Sequence, residues 1–170
     1  AAPLVVLYPL AKRVTWFPQF VLGLTFSWGV FLGWVAVTGG LPDQSIMLIY
    51  AGCAAWVFGY DTIYAIQDMQ DDRIVGVKSS ALALAHHIKG GVASAYCLAI
   101  GLIAAGLLGF DHQPVVAAWF GLAGMAVHLG HQIWWLKSDD AVLALALFKS
   151  NRNAGLLLVA GLVLDRLIAG

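Results

Sequence analysis

The sequence predicts an all-α fold: a polytopic bundle of transmembrane helices. Three observations predict it. Of the 170 residues, 61% are hydrophobic and 11% charged, with a mean hydropathy of +0.85, whereas a soluble domain carries roughly a quarter charged residues. A chain this apolar cannot keep its surface in water. Apolar segments close to the roughly 20 helical residues that a bilayer core requires alternate with short polar connections. Lys and Arg, finally, gather on every second connection. The formal net charge is zero, which gives no electrostatic footprint for a nucleic-acid partner.

Taken in order, the chain opens Ala1-Ala2-Pro3, with no Met and no basic region followed by a cleavage site, so it does not read as a signal peptide. The apolar stretch Leu4–Leu10 is too short to span. It reads as the tail of an earlier helix, so the expectation is a fragment whose N-terminal helices are missing from this chain. Five full spans follow at Phe17–Thr38, Ser45–Ile66, Gly91–Phe110, Pro114–Leu136 and Ala154–Ala169. Residues 1–170 form a single transmembrane domain, without an internal repeat or a linker. Glycines recur inside the spans (Gly23, Gly29, Gly33, Gly101, Gly106, Gly121, Gly124), as suits close helix contact in lipid. Ser79–His87 reads as a short surface helix, and Asn151-Arg152-Asn153 as the cap of the last span. Cys53 and Cys97 read as small buried hydrophobes, and His128 and His131 as structural polar groups near an interface.

The basic residues orient the bundle. Lys12 and Arg13 precede the first full span, Arg73, Lys78 and Lys89 follow the second, and Lys137, Lys149 and Arg152 follow the fourth. Only Arg166 falls at the opposite end. The positive-inside rule places those three connections in the cytoplasm, or in the matrix of a mitochondrion. The host is then a bacterial inner membrane or a mitochondrial inner membrane. Trp16, Trp134 and Trp135 at the inner boundaries, and Trp119 near an outer one, read as an interfacial belt.

One connection departs from an ordinary membrane loop. The sequence has nine Asp and no Glu, and four of the nine, Asp61, Asp68, Asp71 and Asp72, lie within a dozen positions. On a helix continued through Asp72, Asp68 and Asp72 share a face one turn apart, Asp61 lies two turns deeper, Tyr64 sits between them and Asp71 flanks the stripe. Like charges so placed repel, and an Asp near the bilayer centre costs roughly 2.5–3.5 kcal/mol. A hard divalent cation such as Mg²⁺, held by carboxylates together with substrate phosphates, would compensate them. Arg73 and Lys78 can meet the same phosphates, with Gly76 turning the chain back to bring Lys78 to the site.

These residues resemble the UbiA-type intramembrane prenyltransferases. The matching pieces are Tyr60-Asp61-Thr62 with Tyr64-Ala65, Asp68 through Asp72, and Gly76 with Lys78-Ser79. Tyr8-Pro9 with Lys12-Arg13, Pro18-Gln19 before Leu22-Gly23, and Asn151 with Gly155-Leu156 also match. The resemblance covers essentially the whole chain. It implies nine transmembrane helices around a central cavity, and transfer of a polyprenyl group from a polyprenyl diphosphate to an aromatic acceptor, 4-hydroxybenzoate, in ubiquinone biosynthesis. It implies that Asp68, Asp71 and Asp72 bind Mg²⁺ and the diphosphate, with Asp68 and Asp72 catalytic. Lys78 and Arg73 would meet the diphosphate, Asp61 and Tyr64 would line the cavity, and Tyr64 would face the allylic cation. The family's first acidic motif, Asn-Asp-x-x-Asp, has no counterpart here, so this chain alone is expected to lack half its metal site and to be inactive. Two other readings stay open at this point. One is an ion or solute pathway, and the other a non-catalytic membrane subunit that needs a partner chain. The residues identify no protein partner.

Overall fold

The computed structural model describes residues 10, 11, 13–110 and 116–169. Lys12, the match at Tyr8-Pro9, and the outer connection from Asp111 to the expected span start at Pro114 lie outside the described residues. Among the described residues the order is α1 (Pro18–Phe26), α2 (Gly29–Thr38), α3 (Gln44–Tyr64), α4 (Met69–Val75), α5 (Ser80–Leu84), a 3-10 turn (Ala85–His87), α6 (Ile88–Leu108), α7 (Val116–Trp135) and α8 (Ala141–Ala169). The fold is all-α, as the sequence predicts, and the protein is embedded in a membrane.

The first expected span is broken in the middle. α1 ends at Phe26; Ser27, whose N–H still reaches Gly23 O at 3.1 Å, caps it, and the helix resumes two residues later at Gly29. Ser and Gly around Trp28 are the residues at which helices bend. Tyr50 of α3 braces the break by donating its hydroxyl to Leu24 O at 2.9 Å. α3 is the central element and packs against α6, α1, α8 and α2. Its start is capped by Asp43, whose side chain accepts from Ile46 N at 2.9 Å.

Three stretches, Pro18–Thr38, Gln44–Tyr64 and Ser80–Leu108, are long and apolar enough by themselves to cross a membrane. α7 and α8 fall outside that set although they run 20 and 29 residues. The reason is in their sequences: α7 carries His128, His131 and Gln132, and α8 carries Lys149 through Asn153. α8 also corrects an expected boundary. It starts at Ala141 rather than Ala154, and Asp140 caps it by accepting from Leu143 N at 2.8 Å. Asn151-Arg152-Asn153 are therefore helix interior, and Lys149 and Arg152 ride on the exposed face of α8 rather than in a loop. At roughly 1.5 Å per residue α8 is about 43 Å long, more than the roughly 30 Å hydrocarbon core, so its first turns have room for these charges.

Several polar residues lie inside beside an apolar core that includes Ile63, Ile103, Met125 and Leu129, while many large apolar residues lie outside. Thr62, Ser80 and Gln132 are fully buried while Leu32, Phe120, Val127 and Leu167 are exposed. In lipid no hydrophobic force drives helices together, so close packing and hydrogen bonds decide which faces meet. α7 and α8 cross at Gly121 and Gly161, where a Cβ on Gly121 would lie 2.8 Å from the Gly161 Cα. Of the two free cysteines, Cys53 is half-buried, but Cys97 is exposed on α6, because its side faces away from the α3 contact.

Contacts between the ends fix the layout. Lys78 Nζ donates to Val14 O at 3.1 Å, and Lys89 Nζ donates to Trp134 O at 3.0 Å. The start of α1, the connection from α3 to α6 and the end of α7 thus share one end of the bundle. At the other end Trp34 and Phe110 stack with ring centroids 6.1 Å apart.

Candidate active site

The acidic segment is built from a helix end, a turn and a short second helix. α3 does not continue through Asp72. After Tyr64 the N–H groups of Ile66 and Gln67 reach back only three residues, to Ile63 O and Tyr64 O at 3.2 and 3.1 Å. This tightening stops the helix, and α4 starts anew at Met69 with Asp68 as the residue before it. Asp71 and Asp72 lie in the first turn of α4, where the helix dipole favours negative charge. Asp72 N donates to Asp68 O at 2.7 Å, which keeps the two a turn apart. α4 ends at Gly76, whose φ of +74° is the left-handed conformation that suits glycine. Val77 N then reaches back to Asp72 O at 3.0 Å. The chain reverses there and returns Lys78 beside Asp72.

The return is anchored from two sides. Ser79 caps α5 by accepting from Leu82 N at 3.3 Å. Gln19, on α1 and almost fully buried, accepts from Ser80 N at 3.0 Å. Thr62 on α3 donates to Phe58 O at 2.7 Å. A hydroxyl has one proton, so Ser80 Oγ is the donor in its 2.7 Å bond to Thr62 Oγ1.

The result is a cavity of about 50 Å³ lined by Gln19, Asp61, Tyr64, Asp68, Asp72 and Lys78, together with Ala65, Val77 and Ser79. Five residues singled out in the sequence thus meet around one space: Asp61, Tyr64, Asp68, Asp72 and Lys78. Asp61 is nine-tenths buried, whereas Asp68 is exposed. Lys78 also lies 5.6 Å above the ring of Trp16. Arg73 is not in this lining. It borders an adjoining groove of about 490 Å³ that shares Asp72, Val77 and Lys78 with the cavity and adds Trp16, Gly76 and Leu82. Asp71 borders neither space and points to the exposed side of α4.

The polar lining, among the described residues, consists of three carboxylates, two hydroxyls, the Gln19 amide and the Lys78 ammonium, without a thiol or an imidazole, a set that suits a hard cation such as Mg²⁺ rather than a soft one. Among the described residues no three His, Cys or Asp side chains converge closely enough to hold a metal alone. Such a set fits a cation that completes its coordination on the phosphates of a ligand. It does not fit a closed protein cage.

An aromatic wall stands behind Tyr64. Its ring lies 4.8 Å from that of Phe148 on α8, and Tyr60 meets the same Phe148 edge-on at 5.7 Å. The sequence reading assigned no role to Phe148 or Gln19 at the site. Both come from helices distant in sequence, and only the family match at Pro18-Gln19 drew attention to either.

Fold and site together define the class: an integral membrane helix bundle with a small acidic cavity at one end. Residues 1–163 match the UbiA prenyltransferase family, and the chain belongs to that family. It is 40% identical over 164 residues to the 4-hydroxybenzoate polyprenyltransferase, mitochondrial, of Rattus norvegicus, covering 96% of this chain and 43% of that protein. Identity is 42% to the protein of the same name from Caenorhabditis elegans, over 97% of this chain and 46% of the relative. To the Homo sapiens protein it is 37%, over 96% and 44%. This chain therefore spans less than half the length of these relatives. The apo structure of a UbiA homolog from Aeropyrum pernix K1 superposes with a TM-score of 0.78 at 25% identity, covering 96% of this chain and 60% of that one. Membership in this family does not favour a transport pathway.

Proposed function

We propose that this chain carries part of the active site of an enzyme that transfers a polyprenyl group from a polyprenyl diphosphate to 4-hydroxybenzoate, in ubiquinone biosynthesis. The observation that carries the reading is the meeting of Asp61, Asp68, Asp72 and Lys78 around one cavity in a chain of this family. The names of the relatives support the choice of acceptor. The basic residues at the acidic end of the bundle support an orientation with that end in the matrix, or in the cytoplasm of a bacterium.

Asp68 and Asp72 would hold Mg²⁺ jointly with the diphosphate, and the cation would supply charge neutralisation to the leaving group. Lys78, and Arg73 from the adjoining groove, offer charged donors to phosphate oxygens. The allylic C–O bond breaks with its electron pair leaving on the diphosphate. The ring carbon next to the acceptor's hydroxyl forms the new C–C bond and loses its proton. Tyr64 offers a π face to the transient cation. The packed interior around Ile63, Ala65 and Ile66 keeps water from quenching it.

The test is transfer by the native gene product in liposomes, supplied with a polyprenyl diphosphate and 4-hydroxybenzoate. Prenylated 4-hydroxybenzoate should form with Mg²⁺ and stop on chelation. A folded, membrane-inserted product that leaves both substrates unchanged in the presence of Mg²⁺ sinks the reading.

A further inference from the structure

We infer that Asn151 of α8 is a positioning residue for the aromatic wall of the acidic cavity, acting through Phe148 and Trp56 on the ring of Tyr64. The inference rests on the proposed function and adds to it a control point on another helix. Asn151 is buried inside the bundle. Its Oδ1 accepts from Trp56 Nε1 at 2.9 Å and is the far branch, at 3.4 Å, of the bond that Tyr96 Oη donates chiefly to Gln132 Oε1 at 2.8 Å. Its Nδ2 donates to Leu147 O and Phe148 O, both at 3.2 Å, and to Gln132 Oε1 at 3.3 Å. A side chain with every polar atom engaged in a low-dielectric interior has one orientation.

Two arms lead from that orientation to the cavity. One is the helix itself: Phe148 lies a turn before Asn151, its carbonyl held by the Asn151 amide, and its ring packs 4.8 Å from Tyr64. The other runs through α3. Trp56, fixed by its N–H, meets Tyr60 edge-on at 5.7 Å, and Tyr60 meets Phe148 in turn. Both arms converge on Phe148, and Phe148 backs the one aromatic ring that lines the cavity. Glycine makes room for the assembly, since a Cβ on Gly155 would stand 3.0 Å from the Trp56 ring and one on Gly59 would overlap Tyr96. A ring held in place against a developing cation stabilises the transition state more than the bound substrate. The signature of its loss is therefore a fall in kcat without a rise in KM.

The test compares Asn151→Ala, Phe148→Leu and Trp56→Phe in the native gene product, with kcat expressed per folded molecule. Asn151→Ala and Phe148→Leu should each lower kcat by about tenfold or more while KM for the polyprenyl diphosphate stays within about twofold. Trp56→Phe keeps the ring contact with Tyr60 and loses only the N–H, so its kcat should fall between those and the wild type. Phe148→Leu leaves the hydrogen bonds intact and decides the matter if Asn151→Ala does not fold. A kcat for Phe148→Leu within about twofold of wild type overturns the inference, as does a loss confined to the amount of folded protein. A wild type that folds but transfers no prenyl group removes the proposed function and this inference together. An active wild type with unaffected variants removes the inference alone.

Discussion

Asp165, near the end of α8, accepts the backbone N–H of Ala118 at 3.0 Å, so the first turn of α7 is capped by a side chain from its neighbouring helix. The first N–H groups of any helix lack intrahelical partners, and at a membrane interface few alternatives exist. Replacing Asp165 by Ala should cost about 1 kcal/mol, the usual worth of a cap. Asp165→Asn, which keeps an acceptor oxygen, should cost less. Unfolding in mixed micelles of denaturing and mild detergent checks this. Equal losses for the two substitutions would show that charge, not capping, is the contribution.

The Gly121–Gly161 crossing gives a sharper stability test. A Cβ on Gly121 meets the Gly161 backbone at 2.8 Å and Leu157 O at 2.9 Å, and neither can move without shifting α8. One turn away a Cβ on Gly124 would touch only the Leu157 side chain, at 3.6 Å, an ordinary contact. Gly121→Ala should therefore destabilise the α7–α8 pair by roughly 1–3 kcal/mol through overpacking, while Gly124→Ala is near neutral. Thermal unfolding of both variants in one detergent separates them. A neutral Gly121→Ala would mean that the helices do not cross where the structure has them.

How much of this was legible in the residues differs from element to element. Asp61, Asp68 and Asp72 stood out because acidic residues are costly in a membrane and these fall at turn spacing. Their meeting is real, but the continuous helix used to argue it is not. Nothing between Tyr60 and Val75 is Pro or Gly, so no local signal marks the stop after Tyr64. It comes from three-residue hydrogen bonds and from the docking of the return stretch on Gln19 and Thr62. The start of α8 was misplaced for a related reason. Asn151-Arg152-Asn153 has the composition of a cap, yet Asn151 is satisfied by Trp56, 95 positions away. A single sequence does not show such a partner. Gly76, by contrast, was read correctly because only its own backbone conformation mattered.

Asp71 and Asp72 are adjacent and chemically identical, yet the fold separates them. Asp72 lines both the cavity and the groove beside it, and Asp71 lines neither. Under the proposed function, Asp72→Asn should lower kcat by roughly a hundredfold or more, the scale on which preorganised charge acts. Asp68→Asn should act likewise and Asp71→Asn should change it by only a few fold. Steady-state transfer with each variant, titrated with Mg²⁺, reads this directly. Matching defects at Asp71 and Asp72 would return Asp71 to the metal set that the family resemblance implied.

Gln132 of α7 is fully buried, with partners on α6 and α8. Its Oε1 accepts from Tyr96 Oη at 2.8 Å, and its Nε2 donates to Ser150 Oγ at 2.8 Å and to Leu147 O at 3.2 Å. His128 reaches the same Ser150 at 3.2 Å, the structural place the sequence reading gave it. Hydrogen bonds between membrane helices average near 0.6 kcal/mol because the unfolded chain in lipid also finds partners. Gln132→Leu removes these three and the bond from Asn151 Nδ2 at 3.3 Å as well, and leaves Tyr96 with only its long bond to Asn151. The expected cost is about 1–3 kcal/mol, the range for leaving a buried polar group short of a partner. Combining Gln132→Leu with Asn151→Leu should cost less than the sum of the two, since each exposes groups that the other removes, with a coupling of roughly 0.5 kcal/mol or more. Strict additivity in a double-mutant cycle would mean the two amides are independent, and the bundle would then owe its register to packing at the glycine crossings instead.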